Sequence, residues 1–312
     1  MGRIIVSGVD GNFGRIVAEL VQDLVPRERL LFTAPRSAGL QLYAEAGIAT
    51  AVTNFNALDG LAEVFADADK LLLISMPFVG EKRRQAHRNV VDAAVVAGVG
   101  QIVYTSLVNA TDPTNPSVEK IDHAWTESYI QATGLDYVFL RNSQYVEAMV
   151  TIYFDSLASG SLANNAGEGR TAFISRKDCA SVAASVLANR FLHREVLNVN
   201  GPELLSMADL VRIGNEATGN DLVYTPISDE ENYTLFDAMG VPRTTDGVFQ
   251  AGSAAPFSSE GMVTFGQAIR EGRMAVHSDD VRQIVGRRPV TVRAAFEHES
   301  EYRIGDRNSV DA

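Results

Sequence analysis

Three glycines near the N-terminus carry the first chemical signal. Gly8-Val9-Asp10-Gly11-Asn12-Phe13-Gly14 follows the apolar run Ile4-Ile5-Val6 and precedes a segment of helical periodicity. The spacing is G-x-x-G-x-x-G. Gly8 permits a tight turn, Gly11 lets backbone approach a pyrophosphate, and Gly14 lets a helix pack closely on its strand. The free N–H groups at the helix start then face the phosphates. Three glycines can also do no more than make a tight turn. At the first strand–helix junction of a parallel-sheet pattern, they predict dinucleotide binding.

The end of the next apolar run bears on which dinucleotide. A carboxylate about 20 positions beyond the glycines would take the ribose 2′-hydroxyl of NAD. Here the chain reads Phe32-Thr33-Ala34-Pro35-Arg36-Ser37, with no acid. Arg36 suits a 2′-phosphate by charge and by its planar fork. Asp10 opposes that choice, because a carboxylate in the glycine loop repels the same phosphate. The expectation is NADP, with NAD possible.

Further chemistry gathers at later strand ends: Ser75-Met76-Pro77-Phe78, Tyr104-Thr105-Ser106 and Arg141-Asn142-Ser143-Gln144-Tyr145. No tyrosine has lysine four residues later, so the usual Tyr-x-x-x-Lys acid is missing. Any proton donor must come from elsewhere. Lys120 and His123 share a helical face at a spacing of three. Glu127, four residues past His123, is expected to orient the imidazole and raise its pKa. The alternative is a solvated lysine and a helix-stabilising His–Glu pair. The five histidines have no metal-ligand spacing, and neither a G-x-S-x-G elbow nor a P-loop is present.

The elements that must position these groups follow from periodicity. Apolar runs at 4–6, 30–33, 48–53, 70–75, 101–105 and 136–140 read as strands. Helical patterns at 13–24, 41–46, 59–66, 81–97 and 117–133 separate them. Nearly continuous apolar strands alternating with helices predict a parallel sheet covered on both faces. After Tyr145 the pattern loosens. Helices are expected at 176–188, 206–217 and 229–239, and short strands at 195–199 and 222–225. Residues 247–261 read as a surface excursion, and the charged tail from 299 is expected to fray.

Length and charge narrow the function. The chain has 312 residues, 46% hydrophobic, with a net charge of −12. Such an acidic surface disfavours nucleic acid and anionic membranes as partners. No targeting segment is read at the N-terminus, and the apolar stretches at 70–76 and 90–99 are too short or interrupted to span a bilayer. A single cysteine, Cys179, excludes an internal disulfide and fits a reducing, cytoplasmic setting.

Together these residues resemble the NmrA-like atypical short-chain dehydrogenases, in particular the branch of triphenylmethane reductase and NADPH quinone oxidoreductase type 2 enzymes. The likeness rests on the glycine loop, Lys70-Leu71-Leu72-Leu73-Ile74-Ser75, His87-Arg88-Asn89-Val90-Val91, Ala97-Gly98-Val99, Tyr104-Thr105-Ser106 and Leu140-Arg141-Asn142 with Tyr145. It extends through Asn165-Ala166-Gly167-Glu168-Gly169 to Ser278-Asp279-Asp280, from residue 3 to about 296. The chain departs from it in Asp10 where threonine is usual, in Arg36 displaced by Pro35, and in a longer segment at 247–272.

The resemblance implies an α/β fold, a doubly wound Rossmann sheet with a smaller C-terminal portion covering the substrate. Residues 1–150 would bind NAD(P), and 151–312 would form that portion, partly integrated with the first. It implies Gly8, Gly11, Asn12, Phe13 and Gly14 at the diphosphate, with Asn54 and Phe55 beside the adenine. Ser75 and Met76 would line the cofactor, and Asn142 and Tyr145 would flank the nicotinamide or substrate. Apolar wall candidates are Met76, Phe78, Leu107, Tyr145, Met149 and Phe154. The expected activity is hydride transfer from NAD(P)H to a quinonoid, unsaturated or aromatic carbonyl molecule. The alternative is a dinucleotide-sensing regulator that binds a protein partner without turnover. A homo-oligomer is compatible with either.

Overall fold

A computed structural model describes residues 2–77, 79–189, 191–244 and 257–304. The N-terminal half alternates strand and helix. In chain order it runs β1 (Arg3–Val6), α1 (Asn12–Val21), β2 (Leu30–Ala34), α2 (Gln41–Glu45), β3 (Ala49–Val52), α3 (Leu61–Phe65) and β4 (Ala68–Leu73). It continues with α4 (Glu81–Ala97), β5 (Gln101–Leu107), α5 (Glu119–Thr133) and β6 (Asp136–Asn142). The second half holds α6 (Val146–Ser156), β7 (Ser161–Asn164), α7 (Arg176–Ala188), β8 (Glu195–Val199), α8 (Met207–Thr218), β9 (Val223–Pro226) and α9 (Asp229–Ala238). Four helices follow: α10 (Ser259–Arg270), α11 (Asp280–Val285), α12 (Val292–Glu297) and α13 (Glu299–Tyr302).

The seven-stranded sheet has the order β3-β2-β1-β4-β5-β6-β8. Every pairing in it is parallel. This is the doubly wound Rossmann arrangement, and the direction of winding reverses between β1 and β4. In such sheets ligands bind outside the carboxyl ends of the strands at that reversal. Val6 pairs with both Phe32 and Leu72, so the loops after β1, β2 and β4 leave the sheet at the same level.

The sheet is apolar on both faces because helices cover both. On one face α1 and α7 enclose Val17, Val21, Phe32, Val103, Val182 and Val186. On the other, α3, α4 and α5 enclose Phe65, Leu71, Val90, Ile102, Tyr104 and Ile130. Successive residues of β5 thus serve opposite faces, as period-two geometry requires. A third cluster joins α6, α8, α10 and α12 around Tyr153, Leu210, Ile269 and Phe296.

Two expectations are corrected here. Positions 247–256 of the expected surface excursion lie outside the described residues, but 259–261 form the first turn of α10, where Ser259 is fully buried. The tail from Glu299 does not fray at once: α13 packs on α6, and the Ile304 N–H donates to Thr151 Oγ1 at 2.9 Å.

Candidate active site at the carboxyl edge of the sheet

The glycine loop takes its shape from close approaches. Gly8 has φ +62°, a conformation that side chains resist. A Cβ on Gly14 would stand 2.0 Å from the Gly8 carbonyl oxygen. Gly11 donates its N–H to that oxygen at 3.0 Å. A Cβ on Gly11, in contrast, would meet only that oxygen, at 3.4 Å. The space beside Gly11 is therefore clear for a ligand atom. Helix α1 begins without a side-chain cap and without an acid in its first turn. Its N-terminal dipole and N–H groups fit an incoming phosphate. Asn12 is exposed there, and Phe13 is buried in the first apolar cluster.

The turn that follows Arg36 lies beside Asp10 at the next corner. Arg36 opens the turn Ser37–Leu40. Gly39 of that turn lies so near the glycine loop that a Cβ on it would stand 2.5 Å from the Asp10 Cβ. Both charged residues are exposed. Asn54 is exposed beyond β3, its Oδ1 accepting from the Asn56 N–H at 3.0 Å. Phe55 is buried, and its carbonyl accepts from Asn89 Nδ2 at 2.9 Å.

Beyond β4, side chains satisfy the loop backbone. The Ser75 N–H donates to Thr105 Oγ1 at 2.8 Å. The Met76 N–H donates to His87 Nε2 at 3.1 Å, and the Met76 carbonyl accepts from Arg83 Nε at 3.0 Å. His87 Nδ1 lies 2.8 Å from Thr126 Oγ1, whose own proton goes to the Asp122 carbonyl at 2.8 Å. The imidazole therefore carries its proton on Nδ1 and accepts at Nε2. Burial, reinforced by Arg83, pushes the His87 pKa down to about 3 and keeps the ring neutral. Phe78 lies outside the described residues.

Among the buried polar atoms at this edge that have no hydrogen-bond partner are Ser75 Oγ, Asn142 Oδ1 and Gln144 Oε1. They stand at the ends of β4 and β6, where the sheet offers a polar ligand its crevice. Unpaired buried acceptors and hydroxyls cost stability unless something completes them. Together with the clear approach at Gly11, they fit a dinucleotide whose nicotinamide end carries an amide. Asn142 Nδ2 reaches the Tyr145 hydroxyl at 3.4 Å. Arg176 lies over the Tyr145 ring, 5.2 Å from its centroid. Burial raises the Tyr145 pKa.

The proton-donor candidates sit differently from expectation. His123 does not pair with Glu127. The buried Tyr104 hydroxyl bonds its Nδ1 at 2.9 Å. Burial, then the charge of Arg83, pushes the His123 pKa well down rather than up. Glu127 instead accepts from Ser106 Oγ at 2.6 Å and from both Arg141 Nε and Nη2, at 2.9 and 2.6 Å. Lys120 donates its ammonium to the Asp112 carbonyl. Met149 is buried in the third apolar cluster, and Leu107 and Phe154 pack partly buried against it. Phe154 is set against Tyr153, Phe296 and the Arg303 guanidinium.

Sequence reading gave Arg83, His87, Asn89 and Thr126 no role in shaping the site, and it placed Tyr104 at the right strand end without its bond to His123. Arg83 and His87 stand four apart on one helical face, a legible signal, but their targets are loop atoms that no spacing reveals. Among the described residues no cluster of three His, Cys, Asp or Glu side chains could hold a metal, and no helix is long and apolar enough to cross a membrane. Two concavities of about 410 and 400 Å³ open at the opposite edge, beside Asn189 and Lys70, away from the glycine loop.

Geometry and sequence comparison agree. Residues 9–190 match the NAD(P)H-binding family, and the chain belongs to it; it is an oxidoreductase of the NmrA-like, atypical short-chain dehydrogenase type. It is 29% identical over 239 residues to quinone oxidoreductase 2 of Escherichia coli, covering 77% of this chain and 82% of that one. A structure of the Escherichia coli enzyme with NADPH superimposes with a TM-score of 0.86 at 26% identity, covering 95% of this chain and 99% of the other. Citrobacter sp. triphenylmethane reductase gives a TM-score of 0.83 at 27% identity, covering 96% and 99%. An NmrA-like family domain-containing oxidoreductase of Aspergillus flavus is 25% identical over 303 residues, covering 94% of this chain and 93% of the relative.

Proposed function

We propose that the chain reduces a quinonoid or similarly electrophilic small molecule, taking NADPH in preference to NADH. One observation carries the substrate class: the buried tyrosines and the imidazole at this edge, Tyr104, Tyr145 and His123, are poor proton donors at neutral pH. Burial raises the Tyr104 and Tyr145 hydroxyls and lowers His123. A quinone or a cationic dye accepts hydride with little proton assistance, whereas an aromatic ketone does not. The names of the Escherichia coli and Citrobacter relatives point the same way.

NAD(P)H, when bound, supplies the hydride. The chain's own residues then bind, orient and exclude water. Gly8, Gly11, Asn12, Phe13 and Gly14 hold the diphosphate with the N–H groups of α1. Arg36 takes the 2′-phosphate, and Asp10 weakens that preference. Asn54 and Phe55 flank the adenine. Ser75, Met76 and Asn142 face the nicotinamide, and Tyr145 with Leu107 walls the acceptor. The portion from residue 151 onward covers the substrate, with the boundary near 150.

The test is NAD(P)H consumption on a panel of quinones, cationic dyes and aromatic ketones. Quinones or dyes should turn over fastest. His123→Ala and Lys120→Met should leave quinone turnover within about threefold. If either change cuts turnover on a ketone by 10²-fold or more, as a true proton donor typically would, ketones return as the substrate class. Cofactor binding without consumption of any acceptor would overturn the enzymatic reading.

A further inference from the structure

The motif His87-Arg88-Asn89 has no part in the scheme above. We infer that α4 is the helix that sets the two ligand-facing loops, Asn89 fixing the adenine-side loop after β3 and His87 with Arg83 fixing the nicotinamide-side loop after β4. The inference rests on the cofactor placement just proposed.

Both loops lie past the ends of their strands, at Val52 and Leu73, and have left the sheet ladder. Their backbone groups need other partners. Helix α4 supplies three. His87 Nε2 accepts from the Met76 N–H, Arg83 Nε donates to the Met76 carbonyl, and Asn89 Nδ2 donates to the Phe55 carbonyl. The first two hold the two peptide groups that flank Met76. The third acts some 20 residues away in sequence, on the other ligand loop.

These side chains are costly to bury: Arg83 is 6% exposed, His87 0% and Asn89 8%. For packing α4 against its neighbours, apolar residues serve as well or better. Each polar group is instead completed by a second partner that fixes its direction. Gln85 Nε2 donates to Asn89 Oδ1 at 2.9 Å. Thr126 fixes the His87 tautomer, so that Nε2 presents a lone pair and not a proton. Glu119 and Asp122 of α5 balance Arg83 at 3.4 and 3.7 Å. Asp122 also accepts from the Gly80 N–H at 2.6 Å, which closes the same loop at its far end. Arg83, His87 and Asn89 are positioning residues; none of them need touch the ligand.

The experiment separates the two halves of the dinucleotide. NADPH and 2′,5′-ADP, which carries only the adenosine half, are titrated calorimetrically against the wild type, His87→Leu, His87→Gln and Asn89→Leu. Losing one hydrogen bond of this kind corresponds to about three- to tenfold in affinity. His87→Leu should weaken NADPH by that factor and leave 2′,5′-ADP within about twofold. His87→Gln, whose amide can accept from Met76 and donate to Thr126, should restore NADPH affinity. Asn89→Leu should weaken both ligands alike. Should His87→Leu fail to fold, Thr126→Val removes the acceptor that fixes the tautomer, together with that hydroxyl's own bond to the Asp122 carbonyl, and is expected to show the same NADPH-selective loss. Equal losses for both ligands in the His87 variant, or an unchanged NADPH affinity, would overturn the inference while leaving the cofactor site intact. A wild type that binds neither ligand would instead remove the cofactor placement and, with it, this role for α4.

Discussion

A single Cβ decides whether the glycine loop can work. Gly11 is the one glycine of the three that neither needs positive φ nor collides with its own loop on gaining a side chain. In the proposed placement its requirement comes from the ligand, so Gly11→Val should fold normally and lose NADPH affinity sharply; fluorescence titration of the folded variant checks this, and unchanged affinity would remove the diphosphate from the loop. The neighbouring corner, in the same proposed placement, sets cofactor choice. Arg36→Ala should weaken NADPH by roughly tenfold to a hundredfold, the worth of a charged hydrogen bond of about 1.5–3 kcal/mol, and spare NADH. Asp10→Asn should move the ratio the other way, because in that placement the carboxylate would repel the 2′-phosphate. A wild type that prefers NADH would mean Asp10 outweighs Arg36.

Elements differed in how legible they were. Helices α4 and α7 and strand β8 have the bounds their periodicity predicts, because each is one unbroken pattern ended by a clear signal. Helix α6 was hidden: Val146–Ser156 is apolar around much of its circumference and starts from Tyr145 without a capping side chain. Helix α10 was hidden too. Its first turn fell inside the stretch read as a surface excursion, and a Cβ on Gly266 would stand 2.0 Å from Asn165 Oδ1. The glycine there answers to packing and not to chain direction. The glycine loop of the site was legible because its spacing is local. The clamp from α4 was not, since it joins residues 76 and 87 through a loop conformation. That clamp carries a pH dependence. The His87 pKa falls from 6.5 to about 3 on folding, so between these values the unfolded chain binds the proton and the native chain does not. Its contribution to stability is full above pH 6.5 and is lost as pH falls toward 3, at most about 1.4 kcal/mol per pH unit. Urea midpoints from pH 7 to 4 should therefore fall less steeply for His87→Gln than for the wild type; parallel slopes would mean the imidazole is not held neutral.

At the scale of the whole molecule, the two halves of the chain share one core. Strand β8 extends the sheet by pairing with β6, and α7 lies against α1 on the face that also holds Phe32 and Val103. Val182, Val186, Leu187, Leu197 and Val199 all come from beyond residue 150 and are buried there. Each such side chain is worth roughly 1.5–3 kcal/mol of burial. Five of them match the entire net stability of a typical domain, about 5–15 kcal/mol. A fragment of residues 1–150 would also expose β6 as a long apolar edge, a template for aggregation. The dinucleotide site, although built almost wholly from the first 145 residues, should therefore be absent from that fragment. The expected result is a fragment without a cooperative urea transition and without NADPH binding, beside a full chain that unfolds in a transition shared by α1 and α7. Extending the fragment to residue 200 restores β8 and α7 but leaves α11, which packs on both of them, missing. It should recover partial structure and weak binding. A soluble 1–150 fragment that binds NADPH as tightly as the full chain would show that the Rossmann half stands alone and that the shared face contributes little to it.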